Sequence, residues 1–363
     1  MSIRYDHGDL LSAPVEAVVN TVNTRGVMGK GIALQVKQRW PEVERAYRAA
    51  CRRGEVVLGS MQVVERGGLG DGPKFVINFP TKDHWRSRSK LPDIVSGLDD
   101  LRTVIEKLGI GSVAIPPLGC GNGGLEWSDV QPLIEAALTD LGAVDVVVFP
   151  PEGAPAANEM MVGTNRPAMT PTLAGMVRLI DGYWTDVVGI TDIELQKLAY
   201  FLGARRSALR LRFAKGPYGP YCEPLHHVLQ RAEGHYLRGY GDRSRRPWEP
   251  GPLEVLPGAV DDADARIRSE AGYESDLAAV QNLVEGFEGA WGLELLSTVH
   301  WVATEPDGAT DPADALAHIG RWSNRKNRLF ASGDVEDAWT RLGSLGWLEA
   351  TPPPKTLFEH GAA

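Results

Sequence analysis

The alternation of two apolar patterns along the first half of the chain constrains the fold more than any other feature of this sequence. Short runs rich in Val and Ile have the length and composition of strands that are buried on both faces. Between them lie segments whose apolar residues recur at helical spacing and that carry Gly near their ends. This alternation predicts an α/β fold with helices on both faces of a sheet and ligands at the carboxyl ends of the strands. The predicted strands are 17–22, 56–65, 74–79, 112–118 and 145–150, and the predicted helical segments are 29–54, 91–109 and 127–142.

The length of the chain predicts two domains, because 363 residues are about twice the usual ~150 residues of one domain. Residues 1–152 contain the alternating pattern. Residues 153–171 are rich in Pro, Gly, Ala and Asn and have no periodicity, which is typical of a linker. Residues 172–352 carry mostly helical patterns with a few short strand patterns, which predicts a second, mainly helical α+β domain. We expect the Pro-containing tail 353–363 to be disordered.

The charge and composition exclude several classes of protein. The formal net charge of −9 would repel nucleic acid if it were evenly spread, so any contact with DNA requires a local basic patch. No apolar run is long enough to span a bilayer and no signal peptide is recognisable, so we expect a cytoplasmic protein without membrane contacts. Three scattered cysteines form neither a disulfide framework nor a zinc motif, and we expect no metal and no cofactor.

Two glycine-rich segments follow predicted strands and precede predicted helices. They are "GVMGKGIA" (26–33) and "PPLGCGNGGLEW" (116–127). Glycines let the backbone approach a ligand closely, and the start of the next helix offers free N–H groups to an anion. Neither segment matches a Walker loop or a dinucleotide-binding fingerprint. The alternative, that each is only a tight turn, is favoured for one such loop alone, whereas two loops at two strand ends favour a diphosphate site.

These segments carry a resemblance to a known family. Together with "GDLLSAPVEAVVNTVN" (8–23) they resemble the macrodomain family of ADP-ribose-binding proteins, which implies a three-layer α/β/α macrodomain. The stretches "NTVNTRGVMGKGIALQ" (20–35) and "NFPTKDHWR" (78–86) are similar to the macrodomains of DarG antitoxins. The resemblance implies that Asp9 accepts a hydrogen bond from the adenine amino group beside Leu10, and that Asn23 holds the distal ribose. It also implies that the diphosphate is wrapped by Gly29, Lys30, Gly31 and Ile32 and by Gly119, Cys120, Gly121, Asn122, Gly123 and Gly124.

The resemblance also implies a catalytic lysine, Lys82, at the end of a strand. A lysine in a partly desolvated cleft has a lowered pKa and can act as a nucleophile or a proton shuttle. Relatives whose lysine is a nucleophile also carry an aspartate in the second glycine loop, where this chain has Gly123. We therefore expect that Lys82 acts with another group, such as His84, Asn23 or Asp83, with Glu126 a weaker candidate, or else that the substrate geometry and the diphosphate assist. The alternative is that Lys82 is a solvated loop residue.

The same stretch contains the basic patch that a DNA substrate requires. DarT toxins of this system modify thymine in single-stranded DNA, so the resemblance implies ADP-ribosylated single-stranded DNA as substrate and ADP-ribose as product. We expect Arg86 and Arg88 to contact DNA phosphates and Trp85 to stack on a base. The alternative is that these arginines only decorate an exposed turn.

The second half resembles the C-terminal half of full-length DarG on "LQKLAYFL", "RFAKGPYGPYCEPLHHVLQ" and "GHYLRGYGD". In that family this half binds the DarT toxin, a DNA ADP-ribosyltransferase, and the acidic stretch 247–320 offers a counterpart to a basic DNA-binding partner. The resemblance thus implies an antitoxin that hydrolyses the N-glycosidic bond between ADP-ribose and thymine and also neutralises the toxin by binding it. The alternatives are a non-catalytic ADP-ribose reader with a partner-binding domain, and a phosphatase acting on ADP-ribose 1″-phosphate.

Overall fold

A computed structural model describes residues 3–67, 72–152, 155–183 and 189–349. The chain divides into two compact units. The first comprises Met1–Asn165 together with Gly241–Ser244, and the second comprises Arg166–Tyr240 and Arg245–Ala363. The boundary at residue 165 falls within the segment predicted as a linker, whereas the predicted tail 353–363 lies outside the described residues.

The first unit is built on a six-stranded sheet in the order β1-β6-β5-β2-β4-β3. All neighbouring pairs are parallel except β3 and β4, which pair antiparallel at one edge. The short edge strand β1 was not predicted, and β3 is much shorter than the predicted strand 56–65. The strands are β1 (Arg4–Tyr5), β2 (Ala17–Asn23), β3 (Gln62–Glu65), β4 (Phe75–Lys82), β5 (Ser112–Ile115) and β6 (Asp145–Val148).

Helices cover both faces of this sheet, which confirms the three-layer α/β/α macrodomain. Along β2, Ala17 and Val19 pack in one apolar cluster with residues of α3 and α4, while Val18 packs in another with residues of α1 and α2. Successive strand residues point to opposite faces, so both faces of the strand are apolar. The helices are α1 (Gly31–Arg39), α2 (Pro41–Arg52), α3 (Leu91–Leu108) and α4 (Trp127–Leu138).

The long helical segment predicted over 29–54 is in fact two helices. Trp40 separates them and has φ −132° and ψ 78°, outside the helical region. The cause is Pro41, because the proline ring disfavours the α conformation of the residue before it. Pro41 then opens α2, where its missing N–H costs no hydrogen bond. The break makes α1 a short helix whose start faces the end of β2.

The second unit is mainly helical, as predicted, and has its own apolar core. Thr191 and Glu194 form a capping box at the start of its second helix. Two short hairpin strands, β7 (Ala214–Gly216) and β8 (Gly219–Tyr221), contain the "KGPYGPY" motif, and β9 (Leu237–Arg238) pairs with β10 (Glu254–Val255). The helices are α5 (Pro171–Gly182), α6 (Asp192–Arg205), α7 (Glu223–Ala232), α8 (Ala259–Ile267), α9 (Tyr273–Val284), α10 (Gly289–Ala303), α11 (Pro312–Trp322), α12 (Asn324–Leu329) and α13 (Ser332–Ser344).

Part of the predicted linker is packed rather than free. The N–H of Gly163 donates to the carbonyl of Gln38 at 2.9 Å, and a side chain at this position would overlap the backbone of Arg39. The segment therefore lies against the end of α1, and glycine permits this close approach. Within the described ranges, none of the helices has the length and apolar content needed to cross a membrane.

Candidate active site

The sheet order brings the three predicted site segments to one edge. Strands β5, β2 and β4 are consecutive neighbours and parallel, so their carboxyl ends lie side by side. The first glycine loop (residues 24–30) follows β2, the second glycine loop (residues 116–126) follows β5, and Lys82 ends β4. Crevices at the carboxyl ends of parallel strands are where α/β folds bind ligands. These segments are separated by tens of residues along the chain, yet they lie at one edge of the sheet, where Lys82 contacts Asn122.

Asn23 shapes the first glycine loop. Its side-chain amide donates to the carbonyl of Val27 at 2.6 Å, and its Oδ1 accepts from the N–H of Arg25 at 2.9 Å. The buried hydroxyl of Tyr47 donates to the Asn23 carbonyl at 2.5 Å. Asn23 is itself buried, so its contacts in this structure fix the turn after β2. Tyr47 was not identified from the sequence, where its helical spacing indicates only a core residue.

The start of α1 is the predicted anion site of the first loop. Lys30 is the N-cap residue in an extended conformation, and its side chain makes no capping hydrogen bond. The N–H of Gly31, which has φ 58°, donates to the carbonyl of Asp242 at 3.0 Å, and the Asp242 carboxylate accepts from Gln35 at 2.6 Å. The other N–H groups of the first helical turn have no partner within the helix. No sequence signal pointed to Asp242, which lies more than 200 positions later.

The second glycine loop depends on glycine at two positions. Gly119 has φ 73°, a conformation that side-chain-bearing residues rarely adopt. At Gly123 the backbone angle is ordinary, but a Cβ atom would overlap the carbonyl oxygen of Gly119 and the hydroxyl of Ser89. The place where relatives with a nucleophilic lysine carry an aspartate therefore cannot hold a side chain in this conformation. Burial raises the pKa of Cys120 in the same loop to about 11, which keeps it a neutral thiol.

Lys82 lies between the end of β2 and the second glycine loop. The pairing of β2 with β4 is irregular at its end, so Val22 pairs with Pro80 but Asn23 pairs with Lys82. This one-residue irregularity turns the side chain of Lys82 toward the second glycine loop, where its ammonium donates to the carbonyl of Asn122 at 2.7 Å. Partial burial lowers the pKa of Lys82 below its ordinary value. Lys82 is therefore partly desolvated, while its catalytic role stays a prediction.

Asp83, which follows Lys82, links the end of β4 to the first glycine loop. The Asp83 carboxylate accepts from the Thr24 hydroxyl at 2.5 Å and from the Arg25 guanidinium at 2.7 Å. The bond from Thr24 and then that from Arg25 lower the pKa of Asp83, so it stays ionised. Asp83 is therefore held by the first loop as an ionised carboxylate, which makes it a structural link rather than a proton donor.

The next residues form an exposed basic turn. The rings of His84 and Trp85 stack with centroids 3.8 Å apart, and Trp85 is 46% exposed. Nδ1 of His84 accepts from the N–H of Arg86 at 3.2 Å, which leaves Nε2 as the ring nitrogen available for proton transfer. The guanidinium of Arg86 makes no hydrogen bond or ion pair with any described residue. Glu126 is exposed at the start of α4 and makes no capping bond.

Asp9 and Leu10 follow β1 at the same edge of the sheet. Asp9 caps a short 3-10 turn (Leu10–Ser12) by accepting from the N–H of Leu11 at 2.9 Å, and it pairs with Arg39 at 2.9 Å. Leu10 is buried. Asp9, which the resemblance implies binds adenine, is thus held by its own turn and by Arg39. Arg39 was not predicted as a site residue.

Comparison with known proteins identifies the family. Residues 19–134 match the model of the Macro domain. Over 352 residues the chain is 45% identical to the DNA ADP-ribosyl glycohydrolase of Mycobacterium tuberculosis, covering 94% of this chain and 99% of the relative. Over 324 residues it is 43% identical to the enzyme of the same name from Thermus aquaticus, covering 89% and 88% of the two chains. The chain belongs to the DarG family of DNA ADP-ribosyl glycohydrolases.

Membership in the DarG family confirms the predicted class of enzyme, a hydrolase of N-glycosyl bonds. A further DarG relative is the DNA ADP-ribosyl transferase–DNA ADP-ribosyl glycohydrolase fusion protein of Thermosipho africanus. It is 38% identical over 148 residues, covering 37% of this chain and 38% of that protein. The two DarG relatives from Mycobacterium and Thermus match both units of this chain, so the family resemblance extends beyond the macrodomain.

Proposed function

We propose that this chain releases ADP-ribose from thymine in single-stranded DNA by hydrolysing the N-glycosidic bond, with Lys82 at the reacting carbon. The observation that carries the proposal is the partly buried Lys82, which has a lowered pKa and lies between two loops suited to a diphosphate. The relatives from Mycobacterium and Thermus are named DNA ADP-ribosyl glycohydrolases, which supports removal of ADP-ribose from DNA. In this arrangement the loops would hold the diphosphate and bring C1″ of the distal ribose to the lysine.

The reaction breaks the bond between C1″ and the base nitrogen and adds water across it. The hydroxyl of water ends on C1″, and its proton ends on the base. A neutral Lys82 amine can attack C1″ directly, or it can take the proton from water and pass it toward the base. Both routes require the unprotonated amine, and desolvation increases its fraction near neutral pH. His84 is a second proton carrier on the same segment, because its Nε2 is not used by the local turn.

The exposed turn after Lys82 supports DNA as the substrate. Trp85 presents nearly half of its surface to solvent and is stiffened by stacking on His84, so it is a preformed platform for a neighbouring base. Arg86 is exposed beside it without an acidic partner among the described residues. A free ADP-ribose ligand would have no use for such a platform, whereas a DNA strand carries bases and phosphates on both sides of the modified thymine.

The test is release of ADP-ribose from a thymine-modified single-stranded oligonucleotide by the full chain, followed across pH. We expect turnover, and we expect kcat to rise with pH through the pKa of Lys82 in the complex, because the reactive amine is the unprotonated form. The rise should come at lower pH than for an ordinary lysine. Binding of ADP-ribose without release would identify a reader and contradict the proposed hydrolysis.

We also propose that the second unit binds and neutralises a DarT-type DNA ADP-ribosyltransferase. Two features support this: the DarG relatives match the second unit as well as the first, and a transferase and a glycohydrolase occur in one chain in Thermosipho africanus. The acidic stretch 247–320 supports binding of a basic partner less strongly than its composition implies, because part of its charge is already paired. Several of its carboxylates pair with arginines of the same unit, among them Asp262 with Arg166 and Asp276 with Arg206.

An exposed aromatic patch in the second unit is a better candidate surface for the transferase. Trp248 is 48% exposed, and its ring lies 5.8 Å from that of Tyr218 at the turn of the β7–β8 hairpin. Arg325 lies over Tyr218 at 4.7 Å and is anchored by the buried carboxylate of Glu294 at 2.6 Å. Rigid Trp, Tyr and Arg side chains are the residue types that dominate protein–protein binding energy.

Two variants of the full chain separate the two proposed activities. The Lys82→Ala chain should release no ADP-ribose yet still inhibit the transferase in a stoichiometric mixture. The Trp248→Ala chain should keep hydrolysis but bind the transferase at least about tenfold more weakly, as loss of an interface anchor does. Inhibition is measured as ADP-ribose transfer to an oligonucleotide. If Lys82→Ala abolishes inhibition, neutralisation depends on catalysis and the binding role of the second unit is wrong.

A further inference from the structure

The second glycine loop is held in place by the segment that follows Lys82. Three consecutive carbonyls of the loop, those of Asn122, Gly123 and Gly124, accept hydrogen bonds from three donors of that segment. The donors are the ammonium of Lys82 at 2.7 Å, the N–H of Ser89 at 3.0 Å and the guanidinium of Arg88 at 2.7 Å. The loop has no regular secondary structure, and these three hydrogen bonds fix the orientation of its backbone.

This arrangement determines which way the loop's N–H groups point. In a trans peptide the carbonyl of one residue and the N–H of the next point in opposite directions. Because the carbonyls of Asn122 and Gly123 point at the segment, the following N–H groups point away from it. The N–H of Gly124 is taken by the carbonyl of Gly121, whereas those of Gly121, Asn122 and Gly123 have no acceptor among the described residues. The arrangement therefore fixes the direction of the Gly123 N–H, and this free N–H, together with those of Gly121 and Asn122, offers donors to an anion.

Ser89 and Arg88 occupy the two sides of the loop. Ser89 is 5% exposed, and its hydroxyl has no partner among the described residues. Its small side chain fills the space where a Cβ at Gly119 or Gly123 would lie. The Arg88 guanidinium covers Gly124, whose φ is 72°, with atoms 3.2 to 3.6 Å from the position of a Cβ there. Ser89 therefore packs inside the loop, and Arg88 covers its outer side.

We infer that Arg88 and Ser89 are positioning residues of the diphosphate loop, and that Arg88 acts on ADP-ribose binding through this loop rather than on the DNA backbone. The inference deepens the proposed function and rests on it for the identity of the ligand. It reassigns Arg88, which the sequence predicted to contact DNA together with Arg86. The distinction follows from the structure, because the Arg88 side chain is bonded to a loop carbonyl while that of Arg86 is not.

The experiment compares Arg88→Ala, Arg88→Lys and Arg86→Ala in the full chain. The Kd for free ADP-ribose is measured by calorimetry at several salt concentrations, and KM is measured for the modified oligonucleotide. Loss of the charge-assisted bond in Arg88→Ala should weaken ADP-ribose binding about tenfold, with partial recovery in Arg88→Lys, which keeps one donor. Arg86→Ala should leave that Kd unchanged, raise KM for the oligonucleotide and reduce its salt dependence.

A variant at position 89 and a control at position 87 keep the inference testable if the Arg88 variants fold poorly. Ser87 is exposed on the same turn, so Ser87→Val should leave ADP-ribose affinity within about twofold of wild type. Ser89→Val adds bulk against Gly119 and Gly123 and should weaken binding about tenfold, since overpacking displaces the backbone. An unchanged ADP-ribose Kd in Arg88→Ala, with an oligonucleotide KM like that of Arg86→Ala, would overturn the inference. Failure of the wild-type chain to bind ADP-ribose would instead overturn the proposed function.

Discussion

Replacing Lys82 by Ala should reduce release of ADP-ribose from modified DNA by about a thousandfold or more, while the Kd for ADP-ribose changes only a few-fold. The large effect is expected because the neutral amine carries the nucleophilic or proton-transfer step, and positioned groups of this kind contribute about 10² to 10⁴ in rate. The effect on binding is expected to be much smaller because, after loss of the Lys82–Asn122 bond, the N–H of Ser89 and the guanidinium of Arg88 still hold the second glycine loop. Single-turnover release and calorimetric titration measure the two quantities.

Two further lysine variants are the controls for this result. Lys82→Arg keeps a cation that can reach the Asn122 carbonyl, but a guanidinium is never neutral at usable pH, so it should preserve the loop and remain inactive. Lys107→Ala, at the exposed far end of α3, should match wild type in every assay. Retention of more than a tenth of the rate in Lys82→Ala would place the reacting group elsewhere in the crevice.

Introducing Asp at position 123 should damage the protein's activity rather than improve it. From the sequence alone, Gly123→Asp restores the carboxylate that relatives with a nucleophilic lysine possess. In the structure, however, its Cβ would overlap the Gly119 carbonyl and the Ser89 hydroxyl, so the loop must move. A displacement of about 1 Å at a substrate-positioning loop costs about a hundredfold in rate. We expect a loss of this size in kcat/KM and a clear weakening of ADP-ribose binding.

Gly121→Ala is the comparison for this variant. A Cβ at Gly121 meets no atom within 4 Å, so the same loop receives a side chain without steric conflict. Its loss of affinity should be much smaller than that of Gly123→Asp, and both chains should retain wild-type circular dichroism because the clash is local. An active Gly123→Asp chain with tighter or unchanged ADP-ribose binding would show that the loop has a second conformation that accepts a carboxylate.

Much of the first unit follows from local sequence patterns. The Val-rich runs around Val18 and Val147 are strands because both their faces are buried, and the helix over 91–108 ends where Gly109 adopts φ 61°. Pro41 decides the break between α1 and α2, although the apolar spacing runs on through it. These features depend on residues within one or two turns of each other. The end of β4 was not predicted from such patterns: the predicted strand 74–79 stops three residues before Lys82, and only the family resemblance implied that Lys82 lies at a strand end.

The sequence by itself therefore determined the three-layer fold, the two glycine loops and the lysine between them. The tertiary structure alone decided how they meet: the bond of Lys82 to Asn122, the exclusion of a side chain at Gly123, the role of Arg88 and the contact of Asp242 with Gly31. The physical reason is the range of the interactions. Periodicity, capping and proline effects act on neighbouring residues, whereas these contacts depend on strand order and on a one-residue irregularity between β2 and β4. Such contacts leave no periodic trace in a single sequence.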